Sequence, residues 1–124
     1  MIVGTAREAA DLLEPLFAEA ASEKLAVLFL DARRRVIGKE EWPIGSAEAV
    51  DLPVRDIADA ALRLGCEGLI VAHNHPSGDA QPSRADIEAT RRLADTAAHL
   101  GIRLHDHLIF AGGNCSSFRQ LGLL

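Results

Sequence analysis

Residues 73–86, HNHPSGDAQPSRAD, gather most of the side chains in this chain that could do chemistry. His73 and His75 are one residue apart and follow the apolar run GLIVA. On a strand alternate side chains share a face, so His73 and His75 point together while Asn74 points away. Two imidazoles so close can reach one metal ion. They stand where an apolar strand leaves the core, a common place for functional groups. The next carboxylates are Asp79, in a loop of turn formers, and Asp86, in the first turn of a following helix. Either would complete a set of two histidines and one carboxylate with a fourth position open to water, the pattern of catalytic rather than structural zinc. Iron, manganese and cobalt suit the same donors. No cysteine lies in this stretch, which argues against a closed structural site. Each piece also has an ordinary explanation: an HxH at a strand end can bond loop backbone, and Ser83-x-x-Asp86 is a capping box in its own right. Their concentration in one short segment, which Pro and Gly turn back on itself, is what favours a metal site.

Other reactive types are more scattered. His105-Asp106-His107 is a second HxH on an expected strand, but no carboxylate-bearing loop follows it. A structural or supporting role fits His107, and a plain surface role fits His105. Ser77 and Asp79 read as turn residues, with Ser77 also placed to contact substrate. Cys115, after Gly112, Gly113 and Asn114, reads as a loop residue, since no histidine base is set beside it.

The elements that must position these groups follow from periodicity. Thr5 and Glu8 form a capping-box pattern ahead of Leu12, Leu13, Leu16, Phe17 and Ala20 at helical spacing, and Pro15 should kink or break that helix. KLAVLFLD, residues 24–31, reads as a buried strand, ARRR as a turn, and VIGKEEW, residues 36–42, as the second strand of a hairpin. Residues 45–52 read as a loop. Pro53 then suits the first turn of a helix running through Ile57, Ala61 and Leu64 to a stop at Gly65. GLIVAHNH, residues 68–75, is a further buried strand. A helix from Ser83 to about Leu100 carries Ile87, Leu93, Ala94 and Ala97 on one face and ends at Gly101. IRLHDHLIFA makes a strand, and SFRQLGLL a short tail. The order α-β-β-α-β-α-β implies an α/β or α+β layered domain, a mixed sheet flanked by helices.

Composition bounds the rest. A chain of 124 residues is one globular domain, 48% apolar and 25% charged. Its net charge of −5 speaks against gripping nucleic acid as the main task, and Arg33, Arg34 and Arg35 read as a charged turn rather than a basic patch. Two distant cysteines, Cys66 and Cys115, suit a reducing compartment. With no apolar run near membrane-spanning length and no leader pattern at the N-terminus, the expectation is a cytoplasmic protein.

The spacing His73-x-His75, seven residues, Ser83, two residues, Asp86 resembles the JAMM motif of the JAB/MPN metalloprotease superfamily. More narrowly, HNHPSGD, PSRADIEATRRL, LGIRLHDHLIF and the terminal SFRQLGLL resemble the RadC family, whose members carry an MPN domain. The likeness covers residues 23–124 and leaves 1–22 as an N-terminal helical segment, where full-length RadC proteins have a helix-hairpin-helix region. It implies a cytidine-deaminase-like fold and a hydrolase in which a metal-activated water attacks an amide, peptide or isopeptide bond. His73, His75 and Asp86 would be the ligands of one zinc. Ser83 would donate to the oxyanion, although one hydroxyl cannot both cap a helix and do this fully. The superfamily's general base is a glutamate just ahead of an apolar strand, and Glu23 matches that place. Spacing alone does not select it over Glu40 or Glu41. Glu67, six residues before His73 on the same strand, would lie on the order of 20 Å away. If Glu23 serves, the start of its strand must lie beside the end of the histidine strand. The competing reading is a non-catalytic MPN module that binds DNA-repair or protein partners. A zinc nucleobase deaminase would need an HxE and a PCxxC pair, and the chain has neither. The substrate, which could be a protein tail, and any homo-oligomer are left open by the sequence.

Overall fold

A computed structural model describes residues 1–18, 20, 22–44 and 52–124. Of the expected loop at 45–52, residues 45–51 lie outside the described residues. The chain runs α1 (Ala6–Phe17), β1 (Lys24–Leu30), β2 (Val36–Pro43), α2 (Val54–Leu64), β3 (Gly68–Asn74), α3 (Arg84–His99), β4 (Arg103–Ala111) and β5 (Asn114–Ser117). The strands form one mixed sheet in the order β2-β1-β3-β4-β5. β1 is antiparallel to β2 and β3, β3 is parallel to β4 across the α3 crossover, and β5 returns antiparallel to β4. Helices cover both faces. This is the layered, mixed-sheet α/β fold expected.

The sheet's two faces explain the composition of its strands. β3 sits in the middle, buried at every position, so it must be apolar on both sides until its end. On one face Leu25, Val27, Phe29, Leu69 and Val71 pack under α2 and α3, against Ile57, Ala61, Leu93 and Ala97. On the other, Ala26, Leu28, Ile70, Ala72 and Leu108 pack under Ala9, Leu13 and Phe17 of α1. Each fully buried leucine or phenylalanine contributes roughly 1.5–3 kcal/mol. β2, an edge strand, alternates half-buried and exposed positions and carries Lys39, Glu40 and Glu41, which discourages pairing with another chain.

Four local expectations change. α1 is not broken at Pro15: it runs on to Phe17, with Thr5 capping it by accepting from the Glu8 amide. Only two residues follow the proline, so one lost backbone bond near the helix end is tolerated. Pro53 is the N-cap of α2 rather than in its first turn. The inward face of α3 is Asp86, Ala89, Thr90, Leu93 and Ala97, with Ile87 half-buried at its margin. NCSS, expected as loop and tail, forms β5, so Cys115 lies on an edge strand.

Candidate metal centre

Three elements meet at the site. β3 ends at Asn74, so His73 is its penultimate residue and His75 the first residue beyond it. α3 begins with Ser83 as N-cap and Asp86 at its third position. Asp86 is fully buried because the helix phase puts it in line with Thr90, Leu93 and Ala97. A reciprocal box fixes it there: the Ser83 amide donates to Asp86 Oδ2 at 2.8 Å, and the Asp86 amide donates to Ser83 Oγ at 3.0 Å. The helix N-terminus also favours the negative charge.

His73, His75 and Asp86 each offer a donor atom within 4.8 Å of the others. His73 Nε2 and His75 Nε2 are 3.0 Å apart. His75 Nε2 lies 3.1 Å from Asp86 Oδ2, and His73 Nε2 lies 3.4 Å from Oδ1. With zinc–donor bonds of about 2.0–2.1 Å, the edge of a ligand tetrahedron is about 3.3–3.4 Å. The three separations fall close to that edge. The geometry selects Asp86 over Asp79 as the clustered carboxylate. Asp79 turns its carboxylate back to the Gln81 amide and gives its carbonyl to His75 Nδ1 at 2.8 Å. A carbonyl only accepts, so His75 carries its proton on Nδ1 and presents a lone pair at Nε2.

Two buried side-chain oxygens have no hydrogen-bond partner among the described residues, Asp86 Oδ1 and Glu23 Oε2. Leaving such an atom unpaired ordinarily costs about 1–3 kcal/mol or more. Burial raises the Asp86 pKa, but the imidazole of His73, the Ser83 amide and the imidazole of His75 hold it well below the usual carboxylate range. An ionised carboxylate with a free oxygen, facing imidazole lone pairs, fits a divalent cation.

The other candidate residues are each held by their own contacts. Leu25 pairs with His73 in the antiparallel β1–β3 register, which brings the residues just before β1 to the end of β3. Glu23 is 6% exposed and shares the sheet face of Leu25 and His73. Its backbone is held from three directions: Asn74 Oδ1 accepts from the Lys24 amide at 2.9 Å, Asn74 Nδ2 donates to the Ser22 carbonyl at 3.1 Å, and the Ile44 amide donates to the Glu23 carbonyl at 3.2 Å. The other glutamates are elsewhere. Glu41 pairs with Lys24, Glu40 with Arg63, and Glu67 precedes β3 at its far end. The Ser83 hydroxyl accepts the capping bond through a lone pair, and its own proton has no acceptor among the described residues. Capping and donating therefore do not compete, contrary to expectation. Ser77 Oγ accepts weakly from the Asp79 amide at 3.5 Å, within the turn.

His107 is fully buried behind the site, its Nε2 2.6 Å from His73 Nδ1. Thr90, which nothing in the sequence had marked, lies 2.7 Å from His107 Nδ1. His105 is not a plain surface residue. It is half-buried, with Arg34 donating to its Nδ1 at 3.1 Å, and burial together with Arg34, Arg103 and Arg119 lowers its pKa to about 4. Arg35 pairs with Asp31, so the ARRR segment is a charged turn. Cys115 is exposed on the edge strand, yet partial desolvation, with Asp106 and Glu14, pushes its thiol up to about 11, which leaves it a poor nucleophile.

Fold and site together define a layered α/β domain whose central strand and crossover helix converge on a possible His-His-Asp metal centre. The family model for the RadC-like JAB domain matches residues 3–123. A UPF0758 protein of Rhodobacter capsulatus is 41% identical over 114 residues, 92% of this chain and 53% of that protein. One from Acidithiobacillus ferrooxidans is 45% identical over 100 residues, 81% of this chain and 45% of its own length. Another, from Symbiobacterium thermophilum, is 40% identical over 114 residues, 92% of this chain and 49% of its own. The chain belongs to the RadC-like JAB domain family. It spans about half the length of the curated relatives it matches.

Proposed function

We propose that this domain is a metal-dependent hydrolase, with zinc as its metal, that cleaves an amide bond of the peptide or isopeptide kind. The observation that carries this reading is the His73, His75 and Asp86 triangle, whose Asp86 Oδ1 has no partner among the described residues; a second buried carboxylate, Glu23, just ahead of β1, is the candidate base. His73, His75 and Asp86 would hold the ion, which when bound supplies Lewis acidity and brings the pKa of a water toward neutrality. Glu23 would take a proton from the attacking water as the water oxygen adds to the substrate carbonyl carbon. The Ser83 hydroxyl, with its proton free, donates to the carbonyl oxygen as negative charge develops there. Glu23 then returns the proton to the leaving nitrogen as the carbon–nitrogen bond breaks.

A cleft of about 420 Å³ adjoins His75, between α1 and the β4–β5 turn. Phe17 and Phe110, stacked with centroids 5.0 Å apart, line it together with Asn74, Gly112 and Gly113. Small walls and an apolar floor suit an extended tail rather than a bulky group. Among the described residues no helix is long and apolar enough to cross a membrane.

The test is turnover of a panel of fluorogenic peptide and isopeptide amides by the zinc-loaded domain. Hydrolysis should stop with chelation, and Glu23→Gln should lower kcat at least about 100-fold, as for loss of a general base, with the metal retained. Turnover indifferent to both chelation and Glu23→Gln would contradict the proposal.

A further inference from the structure

Thr90 and His107 stand outside the ligand set, yet both are buried between α3 and β4 and connect two of its members. Thr90 Oγ1 lies 2.6 Å from the Asp86 carbonyl oxygen and 2.7 Å from His107 Nδ1. His107 Nε2 lies 2.6 Å from His73 Nδ1. Counting protons along this line leaves one arrangement. A hydroxyl has a single proton and a carbonyl only accepts, so the Thr90 proton points at Asp86. His107 Nδ1 must then carry a proton and donate to Thr90, because two lone pairs at that distance would repel. The His107 ring is fully buried against Phe118 and pairs with no carboxylate among the described residues, so a charge there would be costly and the ring is neutral. A neutral imidazole protonated at Nδ1 has its lone pair at Nε2, so His107 accepts there from His73 Nδ1–H. In its neutral form His73 then has its lone pair at Nε2, the atom that faces Asp86 and His75.

We propose that Thr90 and His107 form a positioning relay that fixes His73 in its Nδ1–H tautomer and so readies Nε2 for a divalent metal before any metal arrives. The inference rests on reading the triangle as a metal centre. Neither residue touches metal or substrate; both act through His73. The relay is itself held in place. Phe118 stacks on the His107 ring with centroids 4.6 Å apart and planes 15° apart. The His107 amide donates to Asp106 Oδ1 at 2.8 Å, and its carbonyl accepts from the Phe118 amide at 3.0 Å. Because Thr90 bonds to the first turn of α3, the relay also ties the strand that supplies His73 to the helix that supplies Asp86. The two histidines are thus set by unlike means: His75 by an exposed loop carbonyl, His73 by a buried chain of side chains.

The experiment combines two readouts on the full chain. Long-range proton–nitrogen spectra of the metal-free protein report which ring nitrogen of each histidine is protonated, and competition with a chromogenic chelator gives the zinc Kd. In the wild type His73 and His107 should both be Nδ1–H. His107→Leu and Thr90→Val should weaken zinc binding about 10–100-fold, the usual cost of losing a partner behind a ligand. Both should also move His73 toward the Nε2–H form. His107→Gln, whose amide can accept from His73 and donate to Thr90, should restore most of the affinity, and Thr90→Ser should keep it. A metal-free wild type with His73 protonated at Nε2, yet binding zinc tightly, would sink the relay alone. The Nδ1–H form without zinc affinity would sink the metal reading and the relay with it. Should His107→Leu fail to fold, the wild-type spectra and the Gln and Ser variants still decide.

Discussion

Asp86→Asn separates the metal site from the fold more cleanly than any other substitution. Asparagine keeps the size of the side chain and one acceptor, so the bond from the Ser83 amide to Oδ2 survives and α3 stays capped. What disappears is the anionic donor, and with it the charge on Asp86 Oδ1, which has no partner among the described residues. Zinc that binds only the folded wild type stabilises it by RT ln(1 + [Zn]/Kd), about 2.7 kcal/mol at a free concentration 100 times Kd. For a chain of 124 residues each kcal/mol moves Tm by about 4 °C, so the midpoint should rise by about 10 °C. If losing one ligand of three weakens binding about 100-fold, the same zinc concentration gives RT ln 2, about 0.4 kcal/mol and a rise of about 2 °C. The assay is thermal unfolding with chelator and at buffered free zinc, each variant compared with its own metal-free form. An equal rise for Asp86→Asn and wild type would refute the reasoning, because zinc would then be stabilising the chain from somewhere else.

Two further expectations test the surroundings. His105 stays neutral in the folded protein until about pH 4, while in the unfolded chain it takes up a proton near its ordinary 6.5. As pH falls through that window the unfolded state binds more protons, so stability drops between 6.5 and 4 and the loss levels off below. The contribution is at most about 3 kcal/mol, less for screening by water, and His105→Gln should flatten this part of the denaturant-unfolding profile in chelator; an unchanged slope would contradict it. Asn74→Ala should strand the Lys24 amide and the Ser22 carbonyl, at a cost of about 1–3 kcal/mol by denaturant unfolding, and should depress any turnover that depends on Glu23. A neutral effect on both would mean that the Asn74 clamp does not hold β1 in place.

The parts of this domain that were legible in the sequence are those in which one segment carries its own signal. The apolar run ending in HNH declared a central strand and two convergent imidazoles. Ser83-x-x-Asp86 declared a helix start, and it is one. What sequence could not supply was relation between segments. Spacing alone left Asp79 and Asp86 both open and only the resemblance chose Asp86; the structure adds the reason, since the phase of α3 turns Asp86 inward and the loop turns Asp79 back on itself. Glu23 is 50 residues from His73, and it is the antiparallel β1–β3 pairing, with Leu25 opposite His73, that brings its segment to the end of β3. Asn74 was seen to face away from the histidines, but its grip on Ser22 and Lys24 depends on that same register. Thr90 gave no signal at all, since a threonine within a helix reads as neutral filler. The polar segment NCSS lacks strand alternation and becomes β5 only because β4 offers it a free edge.

The central claim is that His73, His75 and Asp86 hold one metal ion. Elemental analysis of protein purified without added metal or a chelating tag tests it most directly, with wild type beside His75→Ala and Asp86→Ala. The account predicts about one zinc per chain in the wild type, as for a single site of this donor set, and its loss from both variants while they remain folded. A wild type that carries no metal even after zinc is offered, or variants that keep it, would contradict the account.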